Sequence, residues 1–183
     1  MKLFFTSDPH YEHANILKYC NRPFKDVATM NRELIERYNR KVGPNDHVWF
    51  LGDIAYAKPY EIFMIMQQLN GKKGLIFGNH DSHALRGDIQ TLEACFELGW
   101  YDYKEIKHEG QMIVLCHYPI LEWNKGHRGS WMLHGHCHGN ATYSHLQNNR
   151  ILDVGVDCHE EYEPFSFEEI KEIFKNASDI QHH

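Results

Sequence analysis

The chain carries no basic stripe. Its longest basic run is the pair Lys72-Lys73, and its formal net charge is -6 with an isoelectric point near 6.2. Proteins that coat duplex nucleic acid neutralise phosphates with clustered Lys and Arg, so that role is not expected. Long apolar runs are missing too. No stretch approaches the roughly 20 residues of a bilayer span, and the opening MKLFFTSDPH turns polar after five residues, unlike a secretory signal. The five cysteines are odd in number and none stands in a CxxC spacing, which fits reduced thiols in a cytoplasmic protein with no membrane partner. Repeats, low-complexity tracts and linkers are also absent. The 183 residues suit one domain, 1–183, around one sizeable core.

What the chain has in excess is histidine, fifteen in all. His182 and His183 end the chain and are set aside as tail. Apolar periodicity places strands at KLFFTSD, DHVWFLGD and KKGLIFGN, with helices between them at EHANILKYC, TMNRELIERYNRKV and KPYEIFMIMQQL. A further helix, DIQTLEACFELG, has Asp88 as N-cap and Gly99 as stop. WYDYKEIKHEGQMIVLCHY then reads as two strands turning at Glu109-Gly110. WMLHGH and RILDVGVD are strands, and SFEEIKEIFKN is a closing helix with a Ser166/Glu169 capping box. Alternation first and hairpin strands later indicate an α/β protein with a mixed sheet or pair of sheets.

The odd polar residues follow apolar runs. FFTSDPH ends in Asp8 and His10, WFLGD in Asp53, LIFGNHD in Asn79, His80 and Asp81, IVLCH in His117, and MLHGHCH in His136 and His138. In open α/β sheets, sites form beyond the carboxyl ends of strands, so these segments can converge. In extended backbone, residues two apart share a side. On that basis Asp8 and His10 face one metal, and His136 and His138 approach from the other side. Cys137 then points away from its neighbours, and Cys116 belongs to the core. Carboxylates, imidazoles and one amide suit Mn²⁺, Fe or Zn²⁺ in open coordination better than a closed thiolate zinc site.

The series Asp8-Pro9-His10, Gly52-Asp53, Gly78-Asn79-His80-Asp81, His117 and Gly135-His136-Cys137-His138 resembles the calcineurin-like metallophosphoesterase superfamily, whose pattern runs DxH, GD, GNH[DE], H, GHxH. The match covers residues 8–138, and DPHYEHANILKYCNRPF is similar to a small, uncapped bacterial and phage-type subgroup. The resemblance implies a four-layer α/β/β/α sandwich with mixed sheets and a dinuclear centre between them. Carried over residue by residue, Asp8, His10 and His138 would bind one metal, Asn79, His117 and His136 the second, and Asp53 would bridge. His80 would be the general acid that faces the leaving group, and Asp81 would orient it. The implied reaction is hydrolysis of small phosphoesters, phosphodiesters or nucleotide-like molecules, by hydroxide generated at two divalent ions, with Mn²⁺ the expected metal.

His134 completes no part of that pattern and is expected beside the ligands. His83, His127, His145 and His159 have no matching role. The loop 121–131 joins strands that carry His117 and His136, so it is expected at the rim. There Lys125 or Arg128 would contact phosphate and Trp123 would stack on a base; the alternative is a solvated connector with Trp131 in the core. The alternatives are an inactive scaffold on the same fold, a phosphomonoesterase, or a protein phosphatase. GDIAYAK and GNHD lack the Asp-Arg-Gly and GNHE of the phosphatases, and a scaffold would be expected to have lost one of these groups.

Overall fold

The computed structural model describes residues 1–81, 83–141 and 149–179. His145, His182 and His183 lie outside the described residues. Two mixed sheets form the frame. In the first, the order is β4 (Trp100–Tyr101), β3 (Lys72–Ile76), β2 (His47–Phe50), β1 (Leu3–Thr6), β9 (Phe165–Ser166). Only β9 runs antiparallel to its neighbour. The second sheet has the order β5 (Tyr103–His108), β6 (Gln111–Cys116), β7 (Trp131–His134), β8 (Ile151–Asp153). Here β5 and β6 form the hairpin, and β6, β7 and β8 are parallel. The hairpin turns at Glu109 (φ 47°) and Gly110 (φ 86°), as a two-residue turn matched to strand twist requires. Trp100 and Tyr101, expected in the hairpin, instead extend the first sheet beside β3. The chain changes sheets at Asp102.

Alternation along the strands sorts the core into layers. Leu3, Phe5, Trp49, Leu51 and Ile76 face Ile113, Leu115 and Leu133 of the other sheet. Phe4, Val48, Phe50 and Leu75 face outward onto helices. Those helices are α2 (Val27–Lys41), α3 (Pro59–Met66) and α5 (Ile89–Cys95), which bury Met30, Leu34, Tyr38, Ile62, Met66 and Leu92. Their starts follow capping chemistry. Asp26 and Asp88 accept from the amides of Thr29 and Thr91 at 2.8 and 3.0 Å, and Pro59 stands in the first turn of α3. The short α1 (Ile16–Tyr19) and α4 (His83–Gly87) lie in loops; periodicity does not reveal α4. The closing helix α6 (Phe167–Ile173) has both capping-box bonds, Glu169 amide to Ser166 Oγ at 3.2 Å and Ser166 amide to Glu169 Oε2 at 2.7 Å. No described helix is long and apolar enough to cross a membrane.

The outer face of the second sheet is where the rim-loop expectation fails. Val114, Met132 and Ile151 cluster there with Trp123. Trp123 is 5% exposed, and its Nε1 donates to the Ser130 carbonyl and hydroxyl at 3.1 and 3.0 Å. It is core, not a stacking platform. The cause is topological. Because β6 and β7 are parallel, the connection must return along the full length of the sheet. Gln111, at the start of β6, donates to the Gly129 carbonyl at 2.9 Å. Arg128 is therefore at the opposite end of the strand from His117, about 20 Å away at ~3.3 Å per residue. Lys125 and Arg128 are exposed there, with Arg128 Nε donating to His127 Nε2 at 3.1 Å. Neither adjoins the strand ends that carry the polar motifs.

Removing a buried indole costs about 3–5 kcal/mol. Trp123→Ala is expected to lose that much stability in urea denaturation, whereas Arg128→Ala stays within about 0.5 kcal/mol of the parent. A Trp123→Ala protein of parental stability would place this residue outside the core.

Candidate metal centre

All the motif residues lie beyond carboxyl ends of parallel strands. An isolated parallel bridge, Ser7 with Gly155, ties the two sheets together at that end. The turns are not extended, contrary to the alternation expected for them. Asp8, His10, Asp53, His136 and His138 have φ of 55°, 51°, 55°, 68° and 47°. Each chain reverses in left-handed backbone, uncommon for these residue types, and the motif side chains are gathered by turns, not by strand alternation. Glycines make room. A Cβ on Gly135 would collide with Ser7 Oγ and Asp8 Oδ2, and one on Gly52 (φ 98°) would stand 2.7 Å from His117 Nδ1.

The first cluster contains Asp8, His10 and His138. Asp8 is fully buried. Its Oδ2 accepts from the His136 amide at 2.9 Å, while Oδ1 has no hydrogen-bond partner. His10 Nε2, also buried and unpartnered, lies 3.7 Å from that oxygen, and His138 Nε2 lies 3.9 Å from it. Burial pushes the Asp8 carboxyl up to about 7, and pushes His10 down to about 2, helped by the nearby His138 and Arg22. Donor atoms about 2.0–2.2 Å from one ion sit about 3–4 Å from each other, so the spacing fits a shared cation. A cation would also offset the cost of burying these polar atoms without partners.

The second cluster contains Asn79, His117 and His136. His117 Nδ1 donates to the Leu51 carbonyl at 2.7 Å. The other ring nitrogen, Nε2, turns toward the interior of the site. It faces Asn79 Oδ1 at 2.9 Å, and His136 Nδ1 lies 2.9 Å from the same oxygen. Between the clusters stands Asp53. Its Oδ2 is 3.7 Å from His10 Nε2 and 3.6 Å from His117 Nε2, and its Oδ1 accepts from the His80 amide at 2.7 Å.

Asp81, expected to orient His80, has its carboxylate on backbone amides. Its Oδ2 accepts from the amides of Gly78 and Asp53 at 2.7 and 3.0 Å, and Oδ1 from that of Ile54 at 3.0 Å. It is a buried clamp joining two motif turns, with burial raising its pKa. His80 is exposed, and its ring lies 5.4 Å from that of His10 and 6.3 Å from that of His13. His134 is buried within 4.8 Å of Cys137 and Asp153. That cluster also accounts for where Cys137 turns.

Two supporting residues stand outside the five short motifs. Buried Arg22 grips Asp157 through Nε and Nη2, both at 2.8 Å, and donates to the carbonyls of Pro9 and Asp8 at 2.8 and 2.7 Å. Asp157 in turn accepts from His138 Nδ1 at 2.7 Å. That bond leaves His138 Nε2 aimed at Asp8, the arrangement in which a carboxylate fixes tautomer and ring orientation. Burial alone would lower the His138 pKa, but the hydrogen bonds to Asp157 and Cys20 carry it up to about 10. The strand-end rule could have found Asp157, which follows the apolar ILDVGV. Arg22 has no comparable signal.

Asp157→Asn is expected to weaken divalent-metal affinity about 10–100-fold in calorimetric titration. Asp53→Asn should reduce the stoichiometry itself. Parental affinity in Asp157→Asn would mean that the His138 ring needs no outer support.

The profile of the calcineurin-like phosphoesterase family matches residues 1–179. A Methanocaldococcus jannaschii protein described as uncharacterized is 31% identical over 98% of this chain and 95% of its own length. The gene 66 protein of Mycobacterium phage L5 is 25% identical over 85% of this chain and 86% of its own. Among solved structures, an Aquifex aeolicus protein of unknown function superposes with TM-score 0.72 at 27% identity, covering 94% of this chain and 98% of that one. With the five motif turns gathered at one end of two mixed sheets, the chain belongs to the calcineurin-like phosphoesterase family, hydrolases acting on phosphoester bonds.

Proposed function

We propose that the chain hydrolyses phosphodiesters or small nucleotide-like phosphoesters at a dinuclear centre. Asp8, His10 and His138 would hold one ion and Asn79, His117 and His136 the other, with Asp53 between. The observation that carries this reading is the placement of Asp53 Oδ2, 3.7 Å from a donor of one cluster and 3.6 Å from a donor of the other. The family implies divalent ions. Oxygen and imidazole donors favour Mn²⁺, with Fe or Zn²⁺ as other occupants. When bound, such ions supply Lewis acidity toward phosphoryl oxygens and acidify a water for in-line attack.

The residues of the chain bring the rest. Asp53 and Asp8 lend negative charge that holds the ions, and the clamp by Asp81 fixes the Asp53 turn. His80 donates the proton. Its amide is tied to Asp53 Oδ1, so the acid is anchored to the carboxylate between the clusters. As imidazolium, its ring N–H protonates the departing alkoxide while the phosphorus–oxygen bond to the leaving group breaks. No carboxylate is needed to orient it in this scheme. The backbone anchor and the edge-on contact with His10 do so.

Chelation is expected to abolish turnover and Mn²⁺ to restore it. His80→Ala should keep both ions by calorimetry and lower kcat about 10²–10⁴-fold on alkyl esters, but far less on p-nitrophenyl esters, whose leaving group needs little protonation. Equal losses on both would remove His80 from the acid role.

A further inference from the structure

Beside His80 lies an open groove of about 460 Å³, lined by Ala55, Tyr56, Ala57, Lys58, Glu61 and His80. Tyr56 dominates it. The residue is 69% exposed, yet it is firmly placed. Its amide donates to the Tyr11 carbonyl at 2.8 Å, and Ala55 bridges Tyr11 in parallel. Its ring stacks on His13, centroids 5.3 Å apart and planes 24° from parallel. His13 in turn meets the edge of Tyr19 and packs 5.3 Å from His10. The loop that carries Asp8 and His10 and the loop that follows Asp53 thus jointly hold an aromatic stack in water, next to the proposed acid.

Exposed tyrosines scattered over a surface are ordinary. This one differs in three respects. It is fixed by backbone bonds and by its stack, so little side-chain entropy remains to be lost on binding. It borders the groove that His80 enters. And the groove offers small apolar residues, Ala55 and Ala57, beside one cation and one anion, Lys58 and Glu61. Flat ring plus polar edge is the recognition chemistry of a nucleobase with its sugar. A saturated alcohol would find nothing to stack on.

We infer that the groove is the leaving-group subsite and that Tyr56, backed by His13, selects a leaving group that is a nucleoside. The inference rests on the hydrolase reading above and deepens it. Water adds its oxygen to phosphorus and releases one proton to solvent, the bond from phosphorus to the nucleoside oxygen breaks, and the nucleoside departs with a proton from His80, which solvent then restores. Tyr56 is a specificity residue that contacts the departing group, not the reacting atoms.

The test compares two diesters of one nucleotide with leaving alcohols of similar acidity, a nucleoside and methanol, using the Mn²⁺-loaded full chain. The kcat/KM ratio of nucleoside to methyl ester is expected to fall about tenfold in Tyr56→Ala, mostly through KM, and to be retained in Tyr56→Phe, which keeps the ring. In parallel, calorimetry measures a nucleoside monophosphate against inorganic phosphate, which requires no turnover. The affinity ratio should fall by a similar factor in Tyr56→Ala and stay in Tyr56→Phe. Ratios in Tyr56→Ala equal to the parental ones overturn the subsite. A parental protein that hydrolyses neither ester overturns the hydrolase reading instead, and the binding ratio then still decides for or against the Tyr56 platform.

Discussion

A set of buried polar atoms facing one another governs this structure. Asp8 Oδ1 and His10 Nε2 are buried without hydrogen-bond partners, and His117 Nε2 and His136 Nδ1 converge on the Asn79 oxygen. Nothing in a folded core favours such an arrangement by itself, since a buried polar group without a partner costs about 1–3 kcal/mol. The neighbouring structure accepts further strain to keep it. Five of the converging side chains sit on left-handed backbone, and Gly135 is required because any side chain there would occupy the space of Asp8. Strain concentrated at one place, and imposed from several directions, marks a site maintained for binding.

The cost is spread over the two sheets. Inter-sheet packing of Phe5, Leu51, Ile113 and Leu133 fixes where the strand ends lie, so the loops beyond them need little freedom. Backbone amides do the local alignment. Asp81 gathers three of them, and the amides of His136 and His80 hold Asp8 and Asp53. Arg22 and Asp157 complete the support by joining the loop after β1 to the segment after β8 through His138. The cradle is thus set by bonds to backbone more than by contacts among its own side chains. Its geometry can then precede ion binding and not be created by it.

Much of this is legible in the sequence, and what is legible and what is not divide on physical grounds. One apolar run ending in Asp, Asn or His can be a helix cap, but five such runs in one chain point to a shared ligand. Asp88 and the Ser166/Glu169 box are readable because capping is local chemistry. Asp81 is not, because its spacing to His80 suggests contact, while its decisive partners, Gly78, Asp53 and Ile54, depend on how two separate turns meet. Arg22 is invisible for the same reason: its partner Asp157 is 135 positions away. Alternation does not govern Asp8 and His10, since strand geometry ends at Thr6 and Ser7, before the motif begins.

The Trp123 segment shows how topology limits where recognition can arise. A connection between antiparallel strands stays at one end of a sheet, so its whole length can line a site. Between parallel strands it must travel to the other end, and only its first residues stay near the carboxyl terminus. Of the residues between His117 and Trp131, Tyr118 is the one in ring contact with His117 and His136, while Gly129 is already beside the start of β6. The same rule applies to β1 and β2, whose chains also leave the site to form helices. Their first residues after the motif, Tyr11, His13, Ala55 and Tyr56, are what remain available, and they pair with each other before departing. Where a site lies at parallel strand ends, the residues within a few positions of the polar motifs are therefore the ones the topology leaves beside it. The Trp123 segment, by contrast, packs on the outer face of the second sheet.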